Sequence, residues 1–249
     1  MGKKIEWNGF QINELVVDGN AKIGKGVGHF STLAGTDEYT HSEYGFAVKG
    51  TCPCNCVGCY GQRGNYCFRT VRDALAMRTF IARTDLYFLE SELIIEIKKH
   101  KFQYFRIHAT GDFFGREYVE MWQRVVRACG EVKFWTYTKA YGLGFDDALN
   151  SLNSEPNCNI VDSVIKGHGF NFGHCDYLIK VFDALLEQGE QPYICPCGID
   201  KNQHCNNCTG CATHKYVLFV EHSTSYKAEK DPDIVKISDI INKQREATA

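Results

Sequence analysis

The run Thr51-Cys-Pro-Cys-Asn-Cys-Val-Gly-Cys-Tyr60 carries Cys52, Cys56 and Cys59, with three and then two residues between them. Three thiolates on one tight loop can hold three irons of a four-iron cluster and leave the fourth iron open for chemistry. The same thiols, with Cys54, could instead form a structural zinc site. Zinc motifs, however, supply their ligands as separated pairs, and four thiols within eight residues fit that plan poorly. Cys54 falls outside the three-then-two spacing and reads as a bystander.

What surrounds this run decides the fold. Gly45–Lys49 reads as a short strand feeding the cysteine loop. Helical spacing follows over 71–83 and 86–100, the second carrying Leu86, Leu89, Leu93, Ile94 and Ile97. Strands are predicted at 102–108, 132–137, 159–165, 192–194 and 215–221. Helices are predicted at 117–129, 146–152, 177–186 and 233–245. About six strands alternating with helices predict an α/β protein with a parallel sheet, closed into a partial or full β/α barrel or left doubly wound. Ligands gather at the carboxyl ends of the strands in such folds, and the cysteine loop would lie on that rim.

The reading divides the chain into an N-terminal extension (1–43), a β/α core with the cluster loop (44–194), a cysteine-rich metal segment (195–214) and a closing strand and helix (215–249). The Gly24-Lys-Gly-Val-Gly28 stretch lacks the Gly-Lys-Ser/Thr ending of a phosphate loop and reads as a surface loop.

An apolar fraction of 44% with 13% aromatic residues supports a sizeable core and excludes a disordered chain. A formal net charge of -2 predicts no strong non-specific pull toward nucleic acid or anionic membrane. The start has no apolar signal region, and no stretch is long and apolar enough to span a membrane, so a reduced cytoplasmic setting is expected. Most of the thirteen cysteines fall in two groups, 52–67 and 195–211, and in that setting clustered thiols read as metal ligands.

The Cys52, Cys56, Cys59 spacing, with Tyr60 directly after it, resembles the signature of the radical S-adenosylmethionine (SAM) superfamily. Phe105-Arg-Ile-His-Ala-Thr-Gly-Asp-Phe-Phe114 stands where that superfamily has a Gly-Gly-Glu-like segment. The resemblance implies a [4Fe-4S] cluster that cleaves SAM reductively to a 5′-deoxyadenosyl radical, with an external electron donor. It implies that Thr110, Gly111 and Asp112 meet the SAM amino group. Lys139 is the candidate for the SAM carboxylate, Ser163 for the ribose and Tyr60 for the adenine. Each has a plainer use: a turn, a solvated lysine, a packed hydroxyl, a core aromatic. His108 reads as a core or rim histidine, and 167–175 as an aromatic loop that could close over substrate. Together, 106–114, Trp135-Thr-Tyr-Thr-Lys139 and the late cysteines resemble the gene-product-88 group of phage proteins over roughly 30–225.

Cys195-Pro-Cys197, followed by Cys205, Cys208 and Cys211, is a metal pattern in its own right. The last three have the Cys-x₂-Cys-x₂-Cys opening of ferredoxin loops, with Cys195 or Cys197 as a remote fourth ligand. Zinc competes for the same thiols, with His204 and His214 in reserve. The alternative to an enzyme is therefore a zinc-stabilised binding module, possibly nucleic-acid-associated, with Lys201, His204, His214 and Lys215 nearby. A cysteine-nucleophile enzyme is a third possibility. Substrate class stays open among peptide, nucleotide, tRNA and metabolite.

Overall fold

Short strands and amphipathic helices build two units, one of residues 1–21 and 25–163, the other of 22–24 and 164–249. The computed structural model describes residues 4–20, 23–55, 59–163, 175–198, 200, 202–208, 210–219 and 232–248. Cys56, Lys201 and residues 167–174 of the aromatic loop lie outside the described residues.

The first unit opens with a hairpin, β1 (Ile5–Trp7) and β2 (Phe10–Ile12), turned by Asn8 and Gly9 at positive φ. An Asn-Gly pair suits a turn whose two central residues must both have φ > 0. Next come β3 (Val17–Asp18), β4 (Val27–His29), β5 (Glu38–Thr40), β6 (Ala47–Lys49), α1 (Arg69–Thr84), α2 (Leu86–His100), β7 (Tyr104–Arg106), α3 (Arg116–Ala128), β8 (Lys133–Thr138), α4 (Asp146–Asn153) and β9 (Cys158–Asp162). The main sheet has the order β3-β4-β7-β8-β9, with β3 antiparallel on the edge and the other four strands parallel. It is a mixed sheet, and no closed barrel forms among the described residues.

Two expectations are corrected here. Val27 and Gly28, read as surface loop, are buried in β4, the first parallel strand of the sheet. Gly28 is there for packing: a Cβ would lie 2.5 Å from Phe102 and 2.6 Å from Phe105. Ala47–Lys49 is a strand as predicted, but it pairs antiparallel with β5 in a separate ribbon. Only Val48 of that strand is buried, whereas a central parallel strand must bury both faces. The stretch 1–43, expected to precede the core, thus supplies β3 and β4 to the main sheet.

Register fixes the two faces of this sheet. Gly28, Phe105 and Phe134 share one face, and Phe105 lies 6.2 Å from Trp122 of α3. Helix α3 buries Tyr118, Val119, Met121, Trp122, Val125 and Val126 on a single stripe. Its end is closed by Asn157, whose Nδ2 donates to the carbonyls of Val126, Cys129 and Val132 at 3.0–3.2 Å. By alternation His29, Arg106, Trp135 and Tyr137 point to the opposite face.

Asp85 caps α2, accepting from Phe88 N at 3.0 Å and from the Trp7 indole N–H at 3.0 Å. Further along α2, the Glu96 carboxylate is 3% exposed and accepts the backbone N–H groups of Leu15 (3.0 Å) and Val16 (2.6 Å). Burial raises its pKa against the effect of those two bonds.

The second unit contains α5 (Cys175–Glu187), β10 (Pro192–Cys195), α6 (Gly210–Thr213), β11 (Tyr216–Phe219) and α7 (Pro232–Thr248). Strands β10 and β11 pair in parallel, with Pro192 opposite Tyr216 and Cys195 opposite Phe219. Leu178, Ile179, Phe182, Ile194, Ile237 and Ile241 form its core. Gln244 brackets Ile194, accepting from its N–H at 3.1 Å and donating to its carbonyl at 3.3 Å. No helix among the described residues is long and apolar enough to cross a membrane.

Glu96→Ala removes the side-chain acceptor of two buried N–H groups and should destabilise the protein by about 2–4 kcal/mol. Urea unfolding followed by far-ultraviolet circular dichroism checks this, and a change under about 0.5 kcal/mol would contradict it.

Candidate functional site

The parallel strands β4, β7 and β8 end along one edge, and the first cysteine loop is docked there through Thr51. The Thr51 hydroxyl donates to Leu33 O (3.3 Å), accepts from Asp112 N (3.0 Å) and lies 2.8 Å from Thr32 Oγ1. Cys52 follows at once, its N–H donating to Gly35 O at 3.2 Å. Asn55 fixes the loop further: its Oδ1 accepts from Thr36 N at 2.8 Å, and its Nδ2 donates to Asp37 at 3.1 Å. Gly61 forms the other shoulder, where a Cβ would lie 2.7 Å from Ala34 Cβ and 3.0 Å from Thr110 Cγ2. Cys52 and Cys59 are half-buried and Cys54 is exposed.

The segment Thr110-Gly-Asp112 follows β7 on the same edge. Thr110 is buried and donates its hydroxyl to Thr32 O at 2.9 Å. Gly111 has φ +85°, and a Cβ would fall 1.9 Å from Thr32 Oγ1, so only glycine fits. Asp112 is 5% exposed, and its carboxylate accepts from Phe113 N (2.7 Å), the Thr138 hydroxyl (2.6 Å) and Lys139 N (2.8 Å). Burial raises its pKa and these three bonds oppose the rise. The acid therefore clips the end of β7 to the end of β8. Of the roughly four acceptor sites on a carboxylate, three are used within the protein.

The other candidates join the same edge. Lys139 is half-buried just past β8, and Ser163 is half-buried past β9, with its N–H donating to Thr138 O at 2.7 Å. Tyr60 is 50% exposed, with its ring edge-on to Tyr66 at 5.3 Å. His108 is a core histidine: its Nε2 is 3.0 Å from the Tyr118 hydroxyl, and burial drops its pKa to about 3.

Arg106, in the middle of the sheet, carries a role that composition and spacing do not reveal. Its guanidinium sits over the Tyr137 ring at 5.2 Å, and its Nε donates to His108 O at 2.8 Å. The available signal was the period-two alternation of Tyr104-Phe-Arg106, which puts Arg106 opposite the core face.

In the second unit the late cysteines gather around Tyr193. The Tyr193 hydroxyl is 3.1 Å from Cys208 Sγ, and its ring stacks on His214 at 4.7 Å. Gly210 permits this approach, since a Cβ there would lie 2.1 Å from the Tyr193 ring. Cys197 is hydrogen-bonded to Cys195 and Cys205, and the bond to Cys195, with burial, pushes its pKa up to about 12. Cys195 and Cys211 are close enough to Tyr193 to raise the pKa of its phenol. No disulfide joins any described cysteine. As placed, no three His, Cys, Asp or Glu side chains among the described residues form a closed metal-ligand set. The thiols are neighbours without a finished cage.

Fold and site define a mixed α/β protein with a thiol-rich loop on the carboxyl edge of its parallel strands. The chain belongs to the gene product 88 family, which matches residues 14–214. It is similar to the Gene 88 protein of Mycobacterium phage D29, 32% identical over 105 residues, covering 37% of this chain and 44% of that protein. The Gene 88 protein of Mycobacterium phage L5 is 30% identical over 105 residues, with the same shares. The match thus spans under half the length of these relatives. No solved structure matches the chain.

Gly111→Ala should cost about 2–4 kcal/mol, from positive φ and the clash with Thr32 together. Gly115→Ala, where φ is 177° and the nearest atom would be 3.9 Å away, should change stability by less than about 0.5 kcal/mol. Paired urea melts check the contrast, and equal effects would contradict it.

Proposed function

We propose that this chain is a radical SAM enzyme in which Cys52, Cys56 and Cys59 hold a four-iron cluster and SAM binds at the open iron. The observation that carries the reading is a three-thiol loop of that spacing docked on the carboxyl edge of parallel strands, where α/β sheets take ligands. The donor set suits the group, because Cys52 and Cys59 are half-buried thiols, and Thr51 and Asn55, on either side of Cys52, are hydrogen-bonded in place. When bound, the cluster supplies the electron that splits the SAM sulfonium and yields a 5′-deoxyadenosyl radical.

The chain's own residues position and shield. Thr51 and Asn55 hold the start of the loop, up to residue 55, in place. In this reading the backbone of Thr110 and Gly111 faces the SAM amino group, and Asp112 stiffens that turn through its three internal bonds. Lys139 pairs with the SAM carboxylate, Ser163 meets the ribose and Tyr60 flanks the adenine. An external donor supplies the electron, and a reducing cytoplasm suits the thiols.

Cys195, Cys197, Cys205, Cys208 and Cys211 make a second metal site, iron–sulfur or zinc, that orders the loop around Tyr193. Their convergence supports metal there under either reading of the protein, catalytic or zinc-stabilised binding module. The second reading makes both thiol groups zinc sites.

Anaerobic reconstitution with iron and zinc counting, followed by a SAM-cleavage assay, tests this. Wild type should form 5′-deoxyadenosine under reductant. Replacing Cys52, Cys56 and Cys59 together by Ala should remove about four irons per chain and reduce cleavage to background. Unchanged cleavage in that variant, or colourless protein with zinc at both groups, would refute the proposal.

A further inference from the structure

An imidazole, a guanidinium and an indole stand side by side on the sheet face opposite helix α3. The register pairs His29 with Arg106 and Arg106 with Trp135, across neighbouring parallel strands. Adjacent strands lie about 4.8 Å apart, so these three side chains form one transverse row. The Trp135 indole Nε1 is buried and has no hydrogen-bond partner among the described residues. Trp135 is 3% exposed and His29 6%.

A buried polar group without a partner costs about 1–3 kcal/mol. Trp122 Nε1 and His108 Nδ1 are left likewise, and what sets Trp135 apart is the cation beside it in the row. Arg106, between His29 and Trp135, is half-buried and forms no ion pair among the described residues. Its bond to His108 O and its seat over Tyr137 hold the guanidinium flat. One edge of a guanidinium held this way stays available as a planar fork, the geometry that matches an oxyanion bidentately. Burial and the charges of Arg78 and Arg106 keep the His29 imidazole neutral, at a pKa of about 4, against a hydrogen bond to the backbone of Gly19, so it adds no positive charge beside Arg106.

The row also lies near the cysteine loop. Tyr66, seven residues past Cys59, is close enough for the Arg106 charge to act on its phenol, and it touches Tyr60 edge-on.

We propose that Arg106, with the Trp135 indole N–H beside it, seats an oxyanion group, phosphate or carboxylate, of the substrate. The seat itself is independent of the radical SAM reading; only the assignment of the oxyanion to that enzyme's substrate rests on it. A substrate so held is anchored beside the cysteine loop by a group that does not react.

The test is an NMR titration of the full chain, without SAM or reductant, with inorganic phosphate in one arm and acetate in the other. The readout is the indole N–H signal of Trp135, assigned through Trp135→Phe; the core residue Trp122 reports on the fold. Saturable movement of the Trp135 signal with an unmoved Trp122 signal is expected. Tighter binding in one arm identifies the phosphate or the carboxylate source. Arg106→Gln should weaken binding at least about tenfold, and Arg106→Lys by less. No saturable shift in either arm, or equal affinity in a folded Arg106→Gln variant, would overturn the proposal. Because no SAM chemistry is read, a failed SAM-cleavage assay and a failed titration are separate outcomes.

Discussion

The hydroxyl of Thr51 is the contact on which the candidate site depends. It joins three stretches of chain: the segment after β4 through Leu33 and Thr32, the turn after β7 through Asp112 N, and the cysteine loop that begins one residue later. A single short side chain can reach all three only because Gly111 has no Cβ; with one, Thr32 could not keep its place. Asp112 extends the junction to β8 through Thr138 and Lys139. Buried hydrogen-bond networks of this kind fix one geometry when every member is satisfied. The start of the cysteine loop thus inherits its position from the ends of three strands, although the strand directly before it belongs to another sheet.

That junction lies where the two faces of the main sheet meet different surroundings. One face is closed by aromatic and aliphatic packing against α3, with Trp122, Phe105 and Phe134 at its centre. The other carries a cation, an indole N–H and an imidazole in one row. Unpaired buried donors cost free energy wherever they stand, Trp122 Nε1 on the packed face included; on the second face the Trp135 indole N–H lies beside a cation.

Much of this architecture was legible in the amino-acid sequence where periodicity was long. The helix read at 86–100 is Leu86–His100, and the one read at 117–129 is Arg116–Ala128. The strands read at 132–137 and 159–165 begin within a residue of Lys133–Thr138 and Cys158–Asp162. What escaped was short or carried by glycine. Strand β4 spans three residues with Gly28 at its centre, so it shows no apolar run; its glycine serves packing against Phe102 and Phe105. Strand β6 was read as the first of the strands alternating with helices, yet only Val48 turns inward. The candidate residues Thr110, Gly111, Asp112, Lys139 and Ser163 came from the family resemblance, and they lie past the ends of β7, β8 and β9. Arg106 was not legible, because its meaning comes from register with His29 and Trp135, and a parallel register is not written in any one segment.

The central claim is that the loop on this edge presents an iron–sulfur cluster with one iron open to SAM. Electron paramagnetic resonance of the anaerobically reconstituted, dithionite-reduced protein, recorded with and without SAM, tests it most directly. The account predicts a reduced four-iron signal that changes shape when SAM is added and is lost when Cys52, Cys56 and Cys59 are replaced together. A spectrum that SAM leaves unchanged, or one that survives replacement of those three thiols, would contradict it.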